Sequence, residues 1–238
     1  MDPFLHHYQT RLEEIIQEQE YLILDNIFPV PLCRKGKEIV LDDLLSISRS
    51  TTLAAWWERI LQKEAGKIVM PWEIYQQAFQ RYGITTKSRR NLPSSQQEKS
   101  SALEKYLSTE YSLLSETRKH IFRPASGKYD MYASVAALFK DMALEYHLKK
   151  ENHHDDKGAD ESVVAVASYL STQKSAHCAI ITNDGDINRI VDRCIPEVEK
   201  KLITVYHPPR MENHPQYRSL SHSTYALPTS SHPLLSST

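Results

Sequence analysis

The sequence predicts an α/β fold in which a parallel sheet of about four to five strands is flanked by helices. Short apolar runs rich in β-branched or small side chains are typical of strands that are covered on both faces. Segments with helical spacing of apolar residues separate these runs, which indicates parallel strands joined by right-handed crossovers. Four such runs are present: Tyr21–Leu24, Lys67–Met70, Cys178–Ile181 and Leu202–Tyr206.

The beginning of the chain is predicted to form a helix, a strand and a loop. Apolar residues share one stripe of Leu5–Glu20 while glutamates lie elsewhere, as in an amphipathic helix. The Tyr21–Leu24 strand then runs directly into Asp25. Prolines and a glycine over residues 29–36 predict a loop. Two separate helices are expected after this loop: Leu41–Ser48 and Thr51–Glu64.

A change of composition comes after the second strand, Lys67–Met70. Pro71 suits the first turn of a helix, which we predict from Trp72 to Tyr82. Gly83–Ser101 has few apolar residues, so we expect a surface loop or a partly disordered linker. Its basic cluster consists of Lys87, Arg89 and Arg90. A solvated loop without function is the simpler interpretation of this cluster, and contact with the phosphates of a nucleic acid is the alternative.

Two further helices, Ala102–His120 and Tyr129–Lys149, are predicted to form an extra helical insertion over about residues 83–155. A polar stretch that contains Asp156 follows, and Asp160–Thr172 has helical spacing of apolar residues. The last two strands and a short helix complete a domain predicted over residues 1–207. Proline, serine, histidine and threonine dominate residues 208–238, which indicates a disordered tail.

The composition is that of an ordinary globular protein, with 238 residues, 40% hydrophobic and 25% charged. A net charge of −1 excludes a dedicated nucleic-acid coat, so any contact with nucleic acid must use local basic patches. The three cysteines lack metal-ligand spacing, which favours a reducing compartment. Neither a signal peptide nor an apolar stretch of about 20 residues is recognisable, so we expect a soluble, cytoplasmic protein without a membrane partner.

Acidic residues follow two predicted strands and begin one predicted helix. Asp25 follows the first strand, Asp184 and Asp186 follow the Cys178–Ile181 strand, and Asp160 opens a helix. The carboxyl ends of parallel strands meet at one edge of a sheet, where ligands bind. Four carboxylates there would suit Mg²⁺ or Mn²⁺ and phosphodiester hydrolysis. The alternative is that Asp184 and Asp186 only form a turn and cap the next helix.

These motifs, in this order, resemble the PIN-domain superfamily of metal-dependent nucleases. Leu22–Asn26 resembles the opening strand of that family with its first acid, and Asp160–Ala167 resembles its acid-led helix of small apolar residues. Thr182–Ile187 is similar to the threonine-x-acid-x-acid turn of the family. Lys157–Asp160 is also similar to a segment of the related NYN nucleases. The matching elements extend from Tyr21 to about Tyr206.

The resemblance implies a nuclease with carboxylate-bound Mg²⁺ or Mn²⁺ that acts on single-stranded or structured RNA. It implies that Asp25, Asp160 and Asp184 are the core ligands and that Asp186 is a ligand or orients the attacking water. The family often carries a glutamate in the helix after the second strand, where this chain has Gln77. Glu73, one turn earlier, or Asp156 could supply the missing acid, or a second metal ion would bind weakly.

Three hypotheses follow for the function. The first is a Mg²⁺- or Mn²⁺-dependent nuclease, which we expect to be an endoribonuclease that prefers RNA to DNA. The second, which Gln77 and the near-neutral charge support, is a degenerate PIN-like module that binds RNA or a protein partner without cleavage. A phosphatase is disfavoured, because such enzymes place an aspartate pair after the first strand, where this chain has Asp25 and Asn26. The sequence leaves open whether the protein forms a homodimer.

Overall fold

A computed structural model describes residues 2–25, 28–35, 38–122, 129–149 and 158–208. Within these ranges helices separate the four runs that the sequence predicts as strands. The six strands are β1 (Tyr21–Leu24), β2 (Leu32–Lys35), β3 (Glu38–Leu41), β4 (Ile68–Val69), β5 (Cys178–Ile181) and β6 (Ile203–Tyr206). The eight α-helices are α1 (Pro3–Glu18), α2 (Leu44–Lys63), α3 (Trp72–Arg90), α4 (Gln97–Thr117), α5 (Tyr129–Lys149), α6 (Ala159–Lys174), α7 (Asp186–Cys194) and α8 (Glu197–Lys200).

Four strands form one all-parallel sheet in the order β4-β1-β5-β6, which confirms the predicted fold class. In its central strand β5 every residue is buried, as expected for a strand with helices on both faces. The register pairs Leu24 of β1 with Ile181 of β5, and Ile181 with Tyr206 of β6. The residues that follow β1 and β5 therefore emerge side by side at one edge.

Helix α6 is the most deeply buried helix described. Every residue from Ala159 to Ser171 is buried, because α6 contacts β1, β5, α5 and α7. Its small apolar residues, such as Ala165 and Ala167, allow neighbouring elements to approach closely. The consequence for the site is that the first turn of α6, with Asp160, lies in well-packed surroundings.

The loop predicted over residues 29–36 is wrong for residues 32–35, which form strand β2. Strands β2 and β3 form an antiparallel hairpin there, with Leu32 paired to Leu41. The backbone N–H of Asp42 also donates to the carbonyl of Pro31, which closes the open end of the hairpin. Apolar and β-branched residues such as Ile39 and Val40 favour the strand, and the prolines only mark where it begins.

The two helices predicted over Leu41–Ser48 and Thr51–Glu64 are one continuous helix, α2. The Asp43 carboxylate accepts a hydrogen bond from the Ser46 N–H at 2.7 Å and caps its start. Neither proline nor glycine interrupts the sequence between the two predicted helices. The serines and threonines at the predicted break are compatible with the helix, since the Thr51 hydroxyl donates to the Ile47 carbonyl one turn earlier.

The loop or linker predicted over Gly83–Ser101 is also wrong. Helix α3 continues through Gly83 to Arg90, and α4 begins at Gln97 after a short 3₁₀ turn over Ser94–Gln96. Tertiary packing stabilises this polar part of α3, because Thr85 is fully buried and α3 packs on α4. Such burial outweighs the cost of about 1 kcal/mol that glycine imposes on a helix interior.

The helix predicted over Tyr129–Lys149 is confirmed as α5. Within the described ranges, no helix combines the length and the apolar character that a membrane span requires. Asp156, proposed as an alternative metal ligand, lies outside the described residues, as does nearly all of the tail predicted over residues 208–238.

Candidate metal centre

The carboxyl ends of β1 and β5 place Asp25 next to Thr182. The hydroxyl of Thr182 donates to Oδ2 of Asp25 at 2.5 Å, and the Asp25 N–H donates to the Ile181 carbonyl at 3.0 Å. Both Asp25 and Thr182 are buried. A hydrogen bond to a carboxylate favours its ionised form, so the threonine supports a negative charge at the edge of the sheet.

The same threonine organises the turn between β5 and α7. Its Oγ1 accepts a hydrogen bond from the Asp184 N–H at 2.8 Å, and Oδ1 of Asp184 accepts one from the Asp186 N–H at 2.8 Å. Arg189, one turn into α7, forms an ion pair with Oδ1 of Asp186 at 2.9 Å. Asp184 and Asp186 therefore do form a turn, as the alternative prediction states. This role uses Oδ1 of Asp184 and does not exclude a ligand role for its other oxygen.

Asp160 reaches the site from the first turn of α6. Gly158 precedes this helix in the left-handed conformation, with φ at 76°. A Cβ atom added at Gly158 would lie 2.6 Å from the Phe139 ring, so both the backbone and the space require glycine there. Contact between α5 and Gly158 therefore helps to fix where α6 begins, and with it the buried Asp160 carboxyl group.

Three carboxylates converge at this edge of the sheet. One oxygen from each of Asp160, Asp184 and Asp186 lies within 4.8 Å of the others, and their burial ranges from buried Asp160 to exposed Asp184. Two like charges at 4.8 Å repel by roughly 3 kcal/mol at an effective dielectric constant of about 20. Protons, protein cations, solvent or a metal ion can offset this repulsion. Arg189 offsets part of it.

The donor set fits the ions predicted from the sequence. Carboxylate oxygens are the ligands that Mg²⁺ and Mn²⁺ prefer, and these ions are commonly held by few protein groups together with water and phosphate. Neither histidine nor cysteine belongs to the three-carboxylate group, so its chemistry does not suggest zinc.

Other predicted site residues occupy different positions. Asp25 is not part of the three-carboxylate group found among the described residues, and it is linked to the turn through Thr182. Glu73 is half-buried in the first turn of α3 and is likewise outside that group. The basic cluster lies in the last turn of α3, where Arg89 pairs with Glu104 at 2.8 Å while Lys87 and Arg90 are exposed.

Sequence reasoning assigned no role to three residues at this edge. Thr182 is the hydrogen-bond link described above, Arg189 pairs with Asp186, and Glu161 is fully buried beside Asp160. The threonine two residues before an acid was a usable signal, because that spacing suits a hydroxyl-to-backbone turn. No local signal reveals that Glu161 is buried, since an acid in the first turn of a helix is ordinarily exposed.

No family model, curated protein or solved structure matches this chain.

Proposed function

We propose that this protein is a Mg²⁺- or Mn²⁺-dependent nuclease that hydrolyses phosphodiester bonds, and that it acts as an endoribonuclease. The observation that carries the proposal is the convergence of Asp160, Asp184 and Asp186 within 4.8 Å at the carboxyl edge of a parallel sheet. This edge is where open α/β sheets bind ligands. A hard-oxygen donor set there suits a divalent cation that also contacts phosphate.

The roles of the acids follow from their positions. Asp160 is held in the packed first turn of α6, so it provides a fixed ligand oxygen. Asp184 is exposed and provides a ligand oxygen that substrate can approach. Asp186 is oriented by Arg189 and either completes the ligand set or positions the attacking water. A bound divalent cation would lower the pKa of a water molecule and stabilise the departing oxygen.

Asp25 has an orienting role in this proposal. Its carboxylate accepts a hydrogen bond from the Thr182 hydroxyl, and the oxygen of that hydroxyl accepts a hydrogen bond from the Asp184 N–H. Asp25 therefore fixes the orientation of the Thr182 hydroxyl and, through it, the turn that carries Asp184. Partners of this kind, one step behind the ligands, change metal affinity or activity by about 10- to 100-fold when they are removed.

The choice of RNA rests on the resemblance to the PIN and NYN nucleases. Among the described cations, exposed Lys87 and Arg90 at the end of α3 are the phosphate contacts that we propose.

The direct test is metal-dependent cleavage of labelled RNA and DNA oligonucleotides by wild-type protein and by Asp184→Asn. The substitution keeps size and most hydrogen bonding but removes one charge from the three-carboxylate group. Asp192→Asn is the matched control, since Asp192 is exposed on α7 and lies outside that group. We expect cleavage by wild type and by Asp192→Asn, with RNA preferred, and almost none by Asp184→Asn. Equal activity of all three proteins would refute the proposed site.

A module that binds RNA or a protein without cleaving is the second candidate. It is favoured by Gln77 in place of an acid and by the turn hydrogen bonds that already occupy Oδ1 of Asp184. Wild-type protein that binds RNA but cleaves nothing with either Mg²⁺ or Mn²⁺ would support this candidate. In that case Glu73→Gln and Asp156→Asn would leave binding unchanged. If the protein does cleave, whichever of these two substitutions abolishes cleavage identifies the acid that replaces the one missing at Gln77.

A further inference from the structure

Helix α3 carries a row of aromatic side chains along one stripe. Trp72, Tyr75, Phe79 and Tyr82 follow one another with ring centroids 5.6, 6.5 and 6.5 Å apart and with planes within 30° of parallel. Tyr111 of α4 extends the row, with its centroid 6.2 Å from that of Tyr82. We refer to these five residues as the aromatic row.

Three of the five rings of the aromatic row are exposed, and the other two, Tyr75 and Tyr82, are half-buried against the core. Trp72, Phe79 and Tyr111 are 46%, 56% and 64% exposed, whereas Trp56 and Trp57 pack in the core. Leaving large rings in water forfeits the burial that usually stabilises them. Three exposed large rings in one row of aromatic side chains therefore indicate a binding surface.

The two ends of the row indicate what binds. At one end, α3 directly follows β4, and the carboxyl end of β4 lies at the same edge of the sheet as Asp25. At the other end, the stripe continues through Thr86 to Arg90, and Lys87 is exposed nearby. The row thus connects the acidic edge with a cationic helix terminus, which is complementary to a phosphate backbone.

The chemistry of the row favours bases over an apolar protein segment. Its members on α3 are all aromatic, and exposed Ile84 lies on a different side of the helix. A surface for an apolar peptide ordinarily mixes aliphatic and aromatic side chains, whereas near-parallel rings suit the planar faces of nucleobases. In a duplex those faces are covered by neighbouring base pairs, so only an unpaired strand can use such a row.

We propose that the aromatic row binds the unpaired bases of a single-stranded nucleic acid and leads the strand to the acidic edge of the sheet. This inference builds on the proposed function, since it names the strand state and the path of the substrate of that site. Stacking is tolerant of sequence, so the row selects unpaired strands without reading their bases. Lys87 and Arg90 bind the backbone beyond the row.

The test measures binding of fluorescent oligonucleotides without divalent cations, so that cleavage cannot contribute. An unpaired oligonucleotide is compared with a fully paired duplex. The double variant Phe79→Leu with Tyr111→Leu keeps apolar surface but removes two π faces, and Phe79→Tyr keeps the face. Val198→Ala is the matched control, because Val198 is 78% exposed on α8. Helix α8 precedes β6, the outer strand on the side of the sheet away from β4 and α3. All these positions are exposed, and melting curves verify that each variant folds.

We expect the double leucine variant to bind the unpaired oligonucleotide at least about tenfold more weakly, with Phe79→Tyr and Val198→Ala close to wild type. Binding of the unpaired strand should also quench the fluorescence of Trp72, and Trp72→Phe should remove this signal. Wild-type affinity in the double leucine variant would overturn the inference, as would equal binding of paired and unpaired strands. Loss of affinity in an alanine double variant but not in the leucine variant would show that apolar contact binds the strand without stacking, and would also overturn it.

The outcomes separate the two proposals. If the protein binds unpaired strands through the aromatic row but cleaves nothing in Mg²⁺ or Mn²⁺, the nuclease proposal is refuted and the proposed binding surface is retained. If metal-dependent cleavage of paired and unpaired substrates is the same in wild type and in the row variants, the nuclease proposal is retained and the proposed binding surface is refuted.

Discussion

Carboxyl groups in two parts of the protein lie in quite different surroundings. At the carboxyl edge of the sheet, acids lie close together and receive hydrogen bonds from Thr182, from the backbone and from Arg189. Between the helices, Glu110 of α4 is buried with Tyr106 beside it, and its Oε2 has no hydrogen-bond partner among the described residues. The first arrangement supports negative charge, whereas the second opposes it. Only the first is suited to hold a cation.

The two surroundings differ because hydrogen-bond donors are available to the acids at the edge of the sheet and are scarce around Glu110. Burial raises the pKa of Glu110 to about 8, and the Tyr106 hydrogen bond and the Arg81 charge offset only part of this effect. The Tyr106 hydroxyl donates its one hydrogen to the Pro29 carbonyl at 2.7 Å, so the bond between Tyr106 and Glu110 gives the carboxylate little support. Burial, followed by the nearby Glu110 charge, raises the pKa of Tyr106 as well. Glu110 is therefore mostly protonated at neutral pH and acts as a polar part of a packed helix interface.

The largest effect that separates the two arrangements is on catalysis. Asp184→Asn should reduce metal-dependent cleavage at least about a hundredfold, because it removes a ligand charge where a cation would act. Glu110→Gln should leave cleavage within about threefold of wild type, because a neutral acid and an amide differ little in charge. Cleavage of labelled RNA at fixed ionic strength measures both. A large loss in Glu110→Gln would show that the helical acid belongs to the site.

The pH dependence of stability gives the second effect. The folded-state pKa of Glu110 is raised from 4.5 to about 8, so the folded protein holds this proton while the unfolded chain releases it. Stability from this group is fully present below pH 4.5 and is lost as the pH rises towards 8, after which the loss is constant. The total is on the order of 5 kcal/mol.

Glu110→Gln should remove this part of the pH dependence. Urea unfolding at a series of pH values measures the free energy of unfolding for both proteins. As the pH rises from 5 to 9, we expect the free energy of unfolding of the variant to increase relative to that of wild type by a few kcal/mol in total. Parallel curves would mean that Glu110 is ionised in the folded protein, and the contrast between the two arrangements would then fail.

How far the sequence predicts these features depends on the distance over which their causes act. The strands with their terminal acids were predictable, because an apolar run followed by an aspartate is local information. The link from Thr182 to Asp25 was not, since it depends on the register of strands 157 residues apart in sequence. Burial of Glu110 and the continuation of α3 past Gly83 likewise depend on packing between α3 and α4.

Metal binding is the third effect. A cation that binds only the folded protein stabilises it by about 2.7 kcal/mol at a hundred times its dissociation constant. We therefore expect millimolar Mn²⁺ to raise the melting temperature of wild type and of Glu110→Gln by the same few degrees. The rise should be much smaller for Asp184→Asn. Equal rises in all three proteins would indicate that Mn²⁺ binds elsewhere on the protein.

The smallest effect concerns the donor that distinguishes the two arrangements. Thr182→Val keeps the shape and β-branching of the side chain but removes the hydroxyl that donates to Asp25 and accepts from the Asp184 N–H. Hydrogen bonds to charged groups contribute about 1.5–3 kcal/mol, so the free energy of unfolding should fall by about 2 kcal/mol at neutral pH. Thr182→Ser retains the hydroxyl and should lose less, because only a buried methyl group is removed. If valine is tolerated as well as serine, the hydroxyl does not support the charge of Asp25, and packing around α6 must hold the acids in place. If valine lowers the free energy of unfolding and serine restores most of it, the Thr182 hydroxyl stabilises the charge of Asp25. The register of β1 and β5 places this buried donor beside Asp25, and Glu110 has no equivalent donor at Oε2 among the described residues.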